Sequence, residues 1–205
     1  MREIHYYFTA SSPWVYLGHQ AIRDVATRHG AKLNAKPVRL AGVWEVSGAV
    51  PLAQRSPTRQ RYRLIELRRY AELRGMPIVL KPKWAPLDAT LADLCTVAIL
   101  LEGADPLDFM GKLFAAFWAE DRNIADETVV ASLIDASGFD SAGIIERARG
   151  AEAAALRESH TAEAIAADAI GVPAYVLDGE VFWGQDRIDL IDRALASSRP
   201  PYKPV

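Results

Sequence analysis

Apolar residues near the start of the chain change their spacing twice. Residues 3–8 are a short run rich in aromatic residues, which is typical of a strand. From Pro13 to His29 the apolar residues recur at helical spacing, and Gly30 follows where such a helix is expected to end. Apolar and polar residues mix again over Lys32 to Leu40, which predicts a second strand. A strand, a helix and a strand in this order predict a βαβ unit with two parallel strands.

The middle of the chain has helical periodicity throughout. Its interruptions carry glycine and proline, as in Gly75-Met76-Pro77. We therefore expect a series of helices in this part of the chain. They are predicted over Thr58 to Arg74, Ala89 to Glu102, Pro106 to Ala119, Glu127 to Ser137, Asp140 to Ala148 and Ala151 to Ala169.

Strand-like spacing returns near the end of the chain. Two short apolar runs, Ala174 to Leu177 and Val181 to Trp183, are separated by Asp178-Gly179, a dipeptide that favours a β-hairpin turn. A last helix is predicted over Asp186 to Ser197. The order βαβ, helices, ββα predicts one α/β domain interrupted by a large all-helical insertion. We place the two parts of the α/β domain at residues 1–45 and 169–205, and the insertion at residues 46–168.

Composition and charge narrow the class of protein. Half of the 205 residues are hydrophobic and 24% are charged, which is the balance of a globular enzyme. The formal net charge of −2 gives no electrostatic reason to expect nucleic acid or an anionic membrane surface as a partner. The first residues lack the apolar segment of a secretion signal, so we expect a cytoplasmic location.

The single cysteine excludes two kinds of site. Cys95 has no second cysteine for an internal disulfide, and it cannot build a thiolate metal site alone. Its apolar neighbours at helical spacing favour a core position over a reactive thiol. The four histidines are far apart in the sequence, and no metal site is expected.

Ser12 is the first candidate for chemistry. It lies between the first strand and Pro13, which suits the first position of a helix, so Ser12 is expected to be the N-cap. One interpretation is that its hydroxyl only caps the helix. The other is that hydroxyl and helix N-terminus together bind a thiolate and lower the pKa of that thiol.

Two further motifs follow the helical block. Val172-Pro173 is either a tight turn into the next strand or a cis bond that exposes the backbone of Val172 to an extended ligand. Asp186 is either the N-cap of the last helix or, with neighbouring amides, the receptor for the charged amino-acid end of a ligand. Arg55 and Arg59 lie just before or at the start of a basic helix. They either belong to a solvated helix face or meet a carboxylate substrate.

These motifs, in this order, resemble those of a known family. SSPWVYL at the first helix and GVPAYVLDGEVFWGQDR near the end are similar to the 2-hydroxychromene-2-carboxylate isomerase family, which is DsbA-like and related to the kappa-class glutathione transferases. The resemblance extends over nearly the whole chain. It implies a thioredoxin-like fold interrupted by a large helical insertion.

The same resemblance implies that the cofactor is glutathione. The hydroxyl of Ser12 takes the position that holds the glutathione sulfur. Val172, before an implied cis Pro173, takes the position that pairs with the tripeptide backbone. The γ-glutamyl end is surrounded by Trp183, Gly184, Gln185 and Asp186.

The activity implied by the family is cis–trans isomerisation of an aromatic or conjugated carboxylic acid through a reversible adduct with the glutathione thiolate. A kappa-like transferase that releases the conjugate and a non-catalytic thioredoxin-fold binding protein remain alternatives. A homodimer is also implied. Dithiol exchange is excluded, because Ser12-Pro13-Trp14-Val15 stands where a DsbA oxidoreductase carries Cys-x-x-Cys.

The part of the sequence that meets the substrate departs from the family. Where the family tends to place a lysine after the second strand, this chain has Trp44, followed by Glu45. Family asparagines in two later loops correspond to Gln54 and Asp88. We expect these four residues to contact the substrate, and the departures place the chromene substrate in question more than the use of glutathione.

Overall fold

The computed structural model describes residues 1–197 and 199–203 as one α/β fold. Its strands are β1 (Glu3–Phe8), β2 (Lys32–Pro37), β3 (Ala174–Leu177) and β4 (Glu180–Trp183). Its helices are α1 (Pro13–Arg28), α2 (Leu40–Ser47), α3 (Pro57–Leu73), α4 (Thr90–Leu101), α5 (Leu107–Trp118), α6 (Glu127–Asp135), α7 (Ser141–Ala148), α8 (Ala151–Ala166) and α9 (Ile188–Ala196). Single 3-10 turns cover Leu52–Gln54 and Gln185–Arg187.

The four strands form one sheet in the order β2-β1-β3-β4. β1 and β2 are parallel, with Glu3 opposite Lys32, so the predicted βαβ unit is confirmed. β3 runs antiparallel to β1, and the hairpin to β4 has Leu177 opposite Glu180. This topology brings the start of α1 and the segment before β3 to one end of the sheet, although they are far apart in the sequence.

Aromatic side chains fill the centre of the fold. The rings of Tyr6 and Tyr175 stack across β1 and β3 with centroids 5.1 Å apart, and neither side chain is exposed. Phe8 continues this layer to Phe114 of α5 at 5.6 Å. Burying several aromatic side chains gives the sheet end a rigid base.

The predicted helices of the middle segment are confirmed with small shifts at their ends. Between β2 and β3 the described chain contains α2 to α8 and no strand. Helices α4 and α8 pack under the end of β2, so the helical segment also supports the sheet. The division into parts at 1–45, 46–168 and 169–205 stays a prediction, and residues 198, 204 and 205 of the last part lie outside the described residues.

Two predictions near residue 40 were wrong. The second strand ends at Pro37, not at Leu40, and Leu40 begins α2, which the spacing had not indicated. The Val38 N–H still donates to the Phe8 carbonyl at 2.9 Å, so hydrogen bonding to β1 ends one residue after Pro37. The N–H of Arg39 instead donates to the Thr161 hydroxyl at 2.9 Å. A partner that lies 122 residues away in the sequence therefore turns the chain from strand to helix.

Asp186 does not cap the last helix, in contrast to one of the two interpretations of its sequence position. It lies inside the 3-10 turn Gln185–Arg187, and α9 begins at Ile188 with Arg187 as an N-cap that makes no side-chain hydrogen bond. The Asp186 carboxylate pairs with the Arg187 guanidinium instead. The last helix therefore begins two residues later than predicted.

Candidate functional site

Ser12 lies where β1 gives way to α1, as predicted. It is the N-cap, with Pro13 as the first helical residue, and its Oγ accepts the Val15 N–H at 3.4 Å. The residue is 7% exposed. Among the residues that the structure describes, its hydroxyl proton has no acceptor, and the Trp14 N–H has none either. The start of α1 thus offers two donors beside a partial positive charge.

A buried carboxylate stabilises the turn before Ser12 through hydrogen bonds. Asp93 of α4 accepts the Thr9 hydroxyl at 2.7 Å and the Ala10 N–H at 2.8 Å, while the Ser12 N–H donates to the Thr9 carbonyl at 3.2 Å. Arg157 of α8 forms an ion pair with the same Asp93 at 3.2 Å. Two helices of the middle segment therefore fix the turn that presents Ser12.

Asp93 has an unusual environment for an acid. It is fully buried, and burial raises its pKa to about 6, although the Arg157 charge and the bonds from Thr9 and Ala10 oppose that rise. Sequence reasoning missed this residue. The available indication was an acid within the apolar stretch Leu91 to Leu101, since an acid among buried helix positions is rarely found without a partner.

Val172 and Pro173 lie in the segment that leads into β3. The Val172–Pro173 bond is cis, which decides between the two conformations considered from the sequence. The Pro173 carbonyl accepts the Gly184 N–H at 2.8 Å. Within the described chain, neither the N–H nor the C=O of Val172 has a hydrogen-bond partner. This nearly buried residue therefore has backbone groups available to an extended ligand.

Trp183 is the last residue of β4, and Gly184 to Asp186 follow it next to this segment. Trp183 is 48% exposed, and its indole Nε1 lies 3.2 Å from where a Cβ on Gly171 would be. Gly184 has φ +99°, a conformation that favours glycine, and a Cβ there would touch the Asp186 carboxylate. Gln185 is buried, and its side-chain oxygen accepts the guanidinium of Arg74 at 2.7 Å. Gln185 therefore supports the turn through its side chain.

Trp44 reaches the same place from α2. Its Nε1 lies 3.6 Å from the position of a Cβ on Gly171, so the two indoles of Trp44 and Trp183 approach Gly171 together. The Ser47 hydroxyl ties α2 to the carbonyl of Ile170 at 2.9 Å. The guanidinium of Arg55 lies over the Trp44 ring, 6.0 Å from its centroid. Trp44 is thus the predicted substrate residue that lies beside Gly171, the residue before Val172.

The other three predicted substrate residues are exposed and are not gathered around one point. Glu45 pairs with Arg39 at 3.6 Å, and Gln54 lies in the exposed turn Leu52–Gln54. Asp88 accepts the Thr90 N–H at 2.9 Å, and the hydrogen bonds from Thr90 lower its pKa. Their contact with a substrate stays a prediction.

Cys95 lies in the core, the position that its sequence neighbours favoured. Burial raises the pKa of Cys95 to about 12, as expected for a core thiol. Within residues 1–197 and 199–203, no three His, Cys, Asp or Glu side chains are placed to hold a metal ion. Over the same residues, no helix combines the length and the apolar character needed to cross a membrane.

A cavity of about 680 Å³ lies away from these residues, between the end of α1, β2 and the start of α5. Two of its charged lining residues are already paired, because Arg23 bonds Asp108 at 2.6 Å and Lys36 bonds Glu163. The Ser12 end of the sheet has unpaired donors instead. We therefore assign the candidate site to the Ser12 end.

Comparison with curated proteins gives relatives along nearly the full length. The chain is 26% identical over 196 residues to the 2-hydroxychromene-2-carboxylate isomerase of Pseudomonas putida, covering 94% of this chain and 93% of that protein. It is 24% identical over 196 residues to the protein of the same name from Pseudomonas sp. strain C18, covering 95% and 91%. The resemblance noted from the sequence is confirmed.

Solved structures show the same fold. The structure of a selenomethionine 2-hydroxychromene-2-carboxylate isomerase has a TM-score of 0.82 and 23% identity, covering 95% of this chain and 94% of that chain. The cytosolic disulfide reductase DsbM from Pseudomonas aeruginosa with GSH has a TM-score of 0.68 and 16% identity, covering 95% and 100%. The thioredoxin-like fold with its helical segment is thereby confirmed. The family model described as the DSBA-like thioredoxin domain matches residues 3–196, and the chain belongs to that family.

Proposed function

We propose that this protein is a glutathione-dependent cis–trans isomerase of the 2-hydroxychromene-2-carboxylate type, acting on an aromatic or conjugated carboxylic acid. The observation that carries the proposal is Ser12, a nearly buried hydroxyl at a helix N-terminus whose proton has no acceptor within the described chain. No base accompanies it, so it is suited to donate to an anion and not to attack as a nucleophile.

The residues present fit glutathione. Ser12 and the Trp14 N–H are the donors for its sulfur, and the free N–H and C=O of Val172 suit its peptide backbone. The exposed Trp183, Gly184 and the Asp186 carboxylate, which pairs with Arg187, are proposed to receive its γ-glutamyl end. Gln185 contributes by holding this turn against Arg74.

When bound, glutathione supplies a thiolate nucleophile that adds reversibly to the conjugated acid. The chain's part is to keep that sulfur ionised at neutral pH. A hydroxyl donor and the positive end of α1 both favour the anion and so lower the pKa of the thiol. The buried surroundings strengthen these interactions by excluding water.

The substrate is proposed to lie on the Trp44 side. The Trp44 ring offers an aromatic surface next to Gly171, and we propose that Glu45, Gln54 and Asp88 contact the outer part of the substrate. The names of the curated relatives support an isomerase of this type, and the GSH in the DsbM structure supports the same ligand in a related fold.

The test is a product analysis with a defined substrate. Purified protein is incubated with 2-hydroxychromene-2-carboxylate in the presence and absence of glutathione, and the product is identified by mass and by its absorption spectrum. We expect an isomer of unchanged mass that forms only with glutathione. A stable glutathione adduct supports the transferase alternative instead and overturns the isomerase.

Glutathione binding is measured separately, by thermal unfolding. A ligand at 100 times its dissociation constant stabilises the folded state by about 2.7 kcal/mol. If millimolar glutathione leaves the melting temperature unchanged, the non-catalytic binding protein is favoured. A homodimer and a cytoplasmic location are part of the same proposal.

A further inference from the structure

Arg63 of α3 stands apart from the other partly buried arginines of the described chain. Arg157 pairs with Asp93 at 3.2 Å, Arg199 pairs with Glu180 at 2.7 Å, and Arg74 bonds Gln185 at 2.7 Å. Arg63 is half-buried, but within the described chain it makes neither an ion pair nor a side-chain hydrogen bond. Such a charge normally has a partner when it leaves water.

The surroundings of Arg63 disfavour its positive charge. Burial lowers its pKa to about 10, and the neighbouring Arg55 adds to that effect. Arg63 nevertheless stays charged at neutral pH. The Arg55 guanidinium has a lowered pKa for the same reasons, burial and the nearby Arg59, and it bonds a single carbonyl, that of Val50, at 3.0 Å. The two guanidinium groups thus form a region of positive charge that is not neutralised.

Two aromatic contacts connect the elements that carry this pair to the candidate site. Arg63, Leu67 and Tyr70 share one face of α3, because residues at these spacings lie above one another on a helix. Tyr70 packs edge-on against Trp14, at 6.2 Å between ring centroids, and Trp14 is two residues from Ser12. In the second contact, Arg55 lies over Trp44, which reaches Gly171.

We propose that Arg63 and Arg55 form an anion-binding site for the carboxylate of the conjugated acid, with Trp44 beside it as the surface for the aromatic part. This assignment rests on the proposed function and names the groups that select its substrate. A bidentate guanidinium–carboxylate pair gives both attraction and a fixed orientation. The carboxylate would supply the counter-charge that Arg63 lacks.

The test uses binding of a simple conjugated acid, so it does not depend on turnover. Trans-cinnamate and its uncharged analogue cinnamamide are titrated into the wild type, Arg63→Met and the control Arg61→Met, which removes an exposed arginine of the same helix. We expect the dissociation constant for cinnamate to rise about tenfold or more in Arg63→Met, as for a lost charged hydrogen bond, and to stay unchanged in the control. Arg63→Lys should recover part of the affinity, and cinnamamide should bind weakly to all of them.

Each of the other possible results of these titrations has a different meaning. Equal cinnamate affinity in the wild type and Arg63→Met would mean that Arg63 only packs its aliphatic stem, and the proposal fails. A loss of glutathione affinity in Arg63→Met, with cinnamate binding unchanged, would assign the pair to a glutathione carboxylate and also overturn it. If glutathione does not bind but cinnamate binding depends on Arg63, the proposed function fails while the anion site stands. Should Arg63→Met not fold, Arg55→Met provides the same comparison.

Discussion

The candidate site consists of two halves that are built differently. The Ser12 half comprises Ser12, Val172, Pro173 and residues 183–186, and it lies on strand ends and one helix N-terminus. The Trp44 half comprises Trp44, Glu45, Gln54 and Asp88, and it lies on α2, a 3-10 turn and a loop. Ser12, Val172 and Gln185 are at most 9% exposed, whereas Glu45, Gln54 and Asp88 are exposed.

This difference in burial indicates which half of the candidate site tolerates substitutions. In the Ser12 half, the key groups are backbone atoms and a hydroxyl that buried neighbours such as Asp93 hold in place, so few substitutions preserve the geometry. In the Trp44 half, the predicted contacts with a substrate are made by surface side chains, which can be exchanged at little cost in stability. If the proposed function holds, the buried Ser12 half keeps the proposed sulfur-binding groups in place, while the exposed Trp44 half can vary with the acid that is bound.

The largest expected effect is that of Ser12→Ala. Turnover should fall by about 10²–10³-fold, as when a single donor to a developing anion is removed. Stability and glutathione affinity should change by about 1 kcal/mol or less, because the lost bonds are one long cap and one neutral donor. The measurements are kcat, glutathione affinity and the free energy of unfolding.

Ser11→Ala is the matched control for this change. Among the residues that the structure describes, the Ser11 hydroxyl reaches only Thr9, at 3.5 Å, so its removal should leave turnover nearly unchanged. The acid limb of the pH–rate profile should move to higher pH in Ser12→Ala, since the thiol loses a group that favours its ionised form. If Ser12→Ala keeps the turnover of the wild type, the Ser12 hydroxyl acts only as a helix cap.

The second prediction concerns the support of the Ser12 half. Because burial raises the pKa of Asp93 to about 6 from an unfolded value near 4, the folded state binds this proton more tightly than the unfolded state. The contribution of Asp93 to the free energy of unfolding is therefore full below about pH 4. It falls by about 3 kcal/mol as the pH rises through about 6.

Asp93→Asn removes this titration. The difference in unfolding free energy between variant and wild type should move in favour of the variant by about 3 kcal/mol between pH 4 and pH 7, measured by urea unfolding. Thr9→Val is the companion variant: it deletes one hydrogen bond to the carboxylate and should move the titration to higher pH. A pH-independent difference for Asp93→Asn would contradict the raised pKa.

The features that could be predicted from the sequence are those whose structural determinants lie close together along the chain. Ser12-Pro13 and Asp178-Gly179 act through their own backbone, so the helix start and the hairpin were correctly placed. The start of α2 and the role of Asp93 were missed, because their partners lie 122 and 84 residues away in the sequence. The resemblance to a family suggested the residues of the Ser12 half, and their binding role stays a prediction. Among the described residues, no buried contact brings the exposed Glu45, Gln54 and Asp88 to one point.

A third, smaller effect is expected at the turn after β4. Gly184→Ala forces alanine into φ +99° and brings its Cβ against Asp186, which should cost about 2 kcal/mol in stability and weaken glutathione binding. Gly179→Ala is the control, because Gly179 also has a positive φ but its Cβ would meet nothing within 4 Å. Both variants should lose stability, and Gly184→Ala alone should lose glutathione affinity. If the two variants bind glutathione with equal affinity, the turn after β4 does not belong to the Ser12 half.

The smallest expected effect is that of Asp88→Asn, in the Trp44 half. Stability should change by less than about 0.5 kcal/mol, because the side chain is exposed and asparagine can also accept the Thr90 N–H. Since its pKa is lowered, Asp88 is negative at neutral pH, and its removal should lower KM for a carboxylate substrate about twofold at low salt and less at high salt. Asp126→Asn is the control: Asp126 accepts the Thr128 N–H at the same 2.9 Å, at the start of α6. If both variants lower KM equally, the effect is one of net charge, and Asp88 does not belong to the half that meets the substrate.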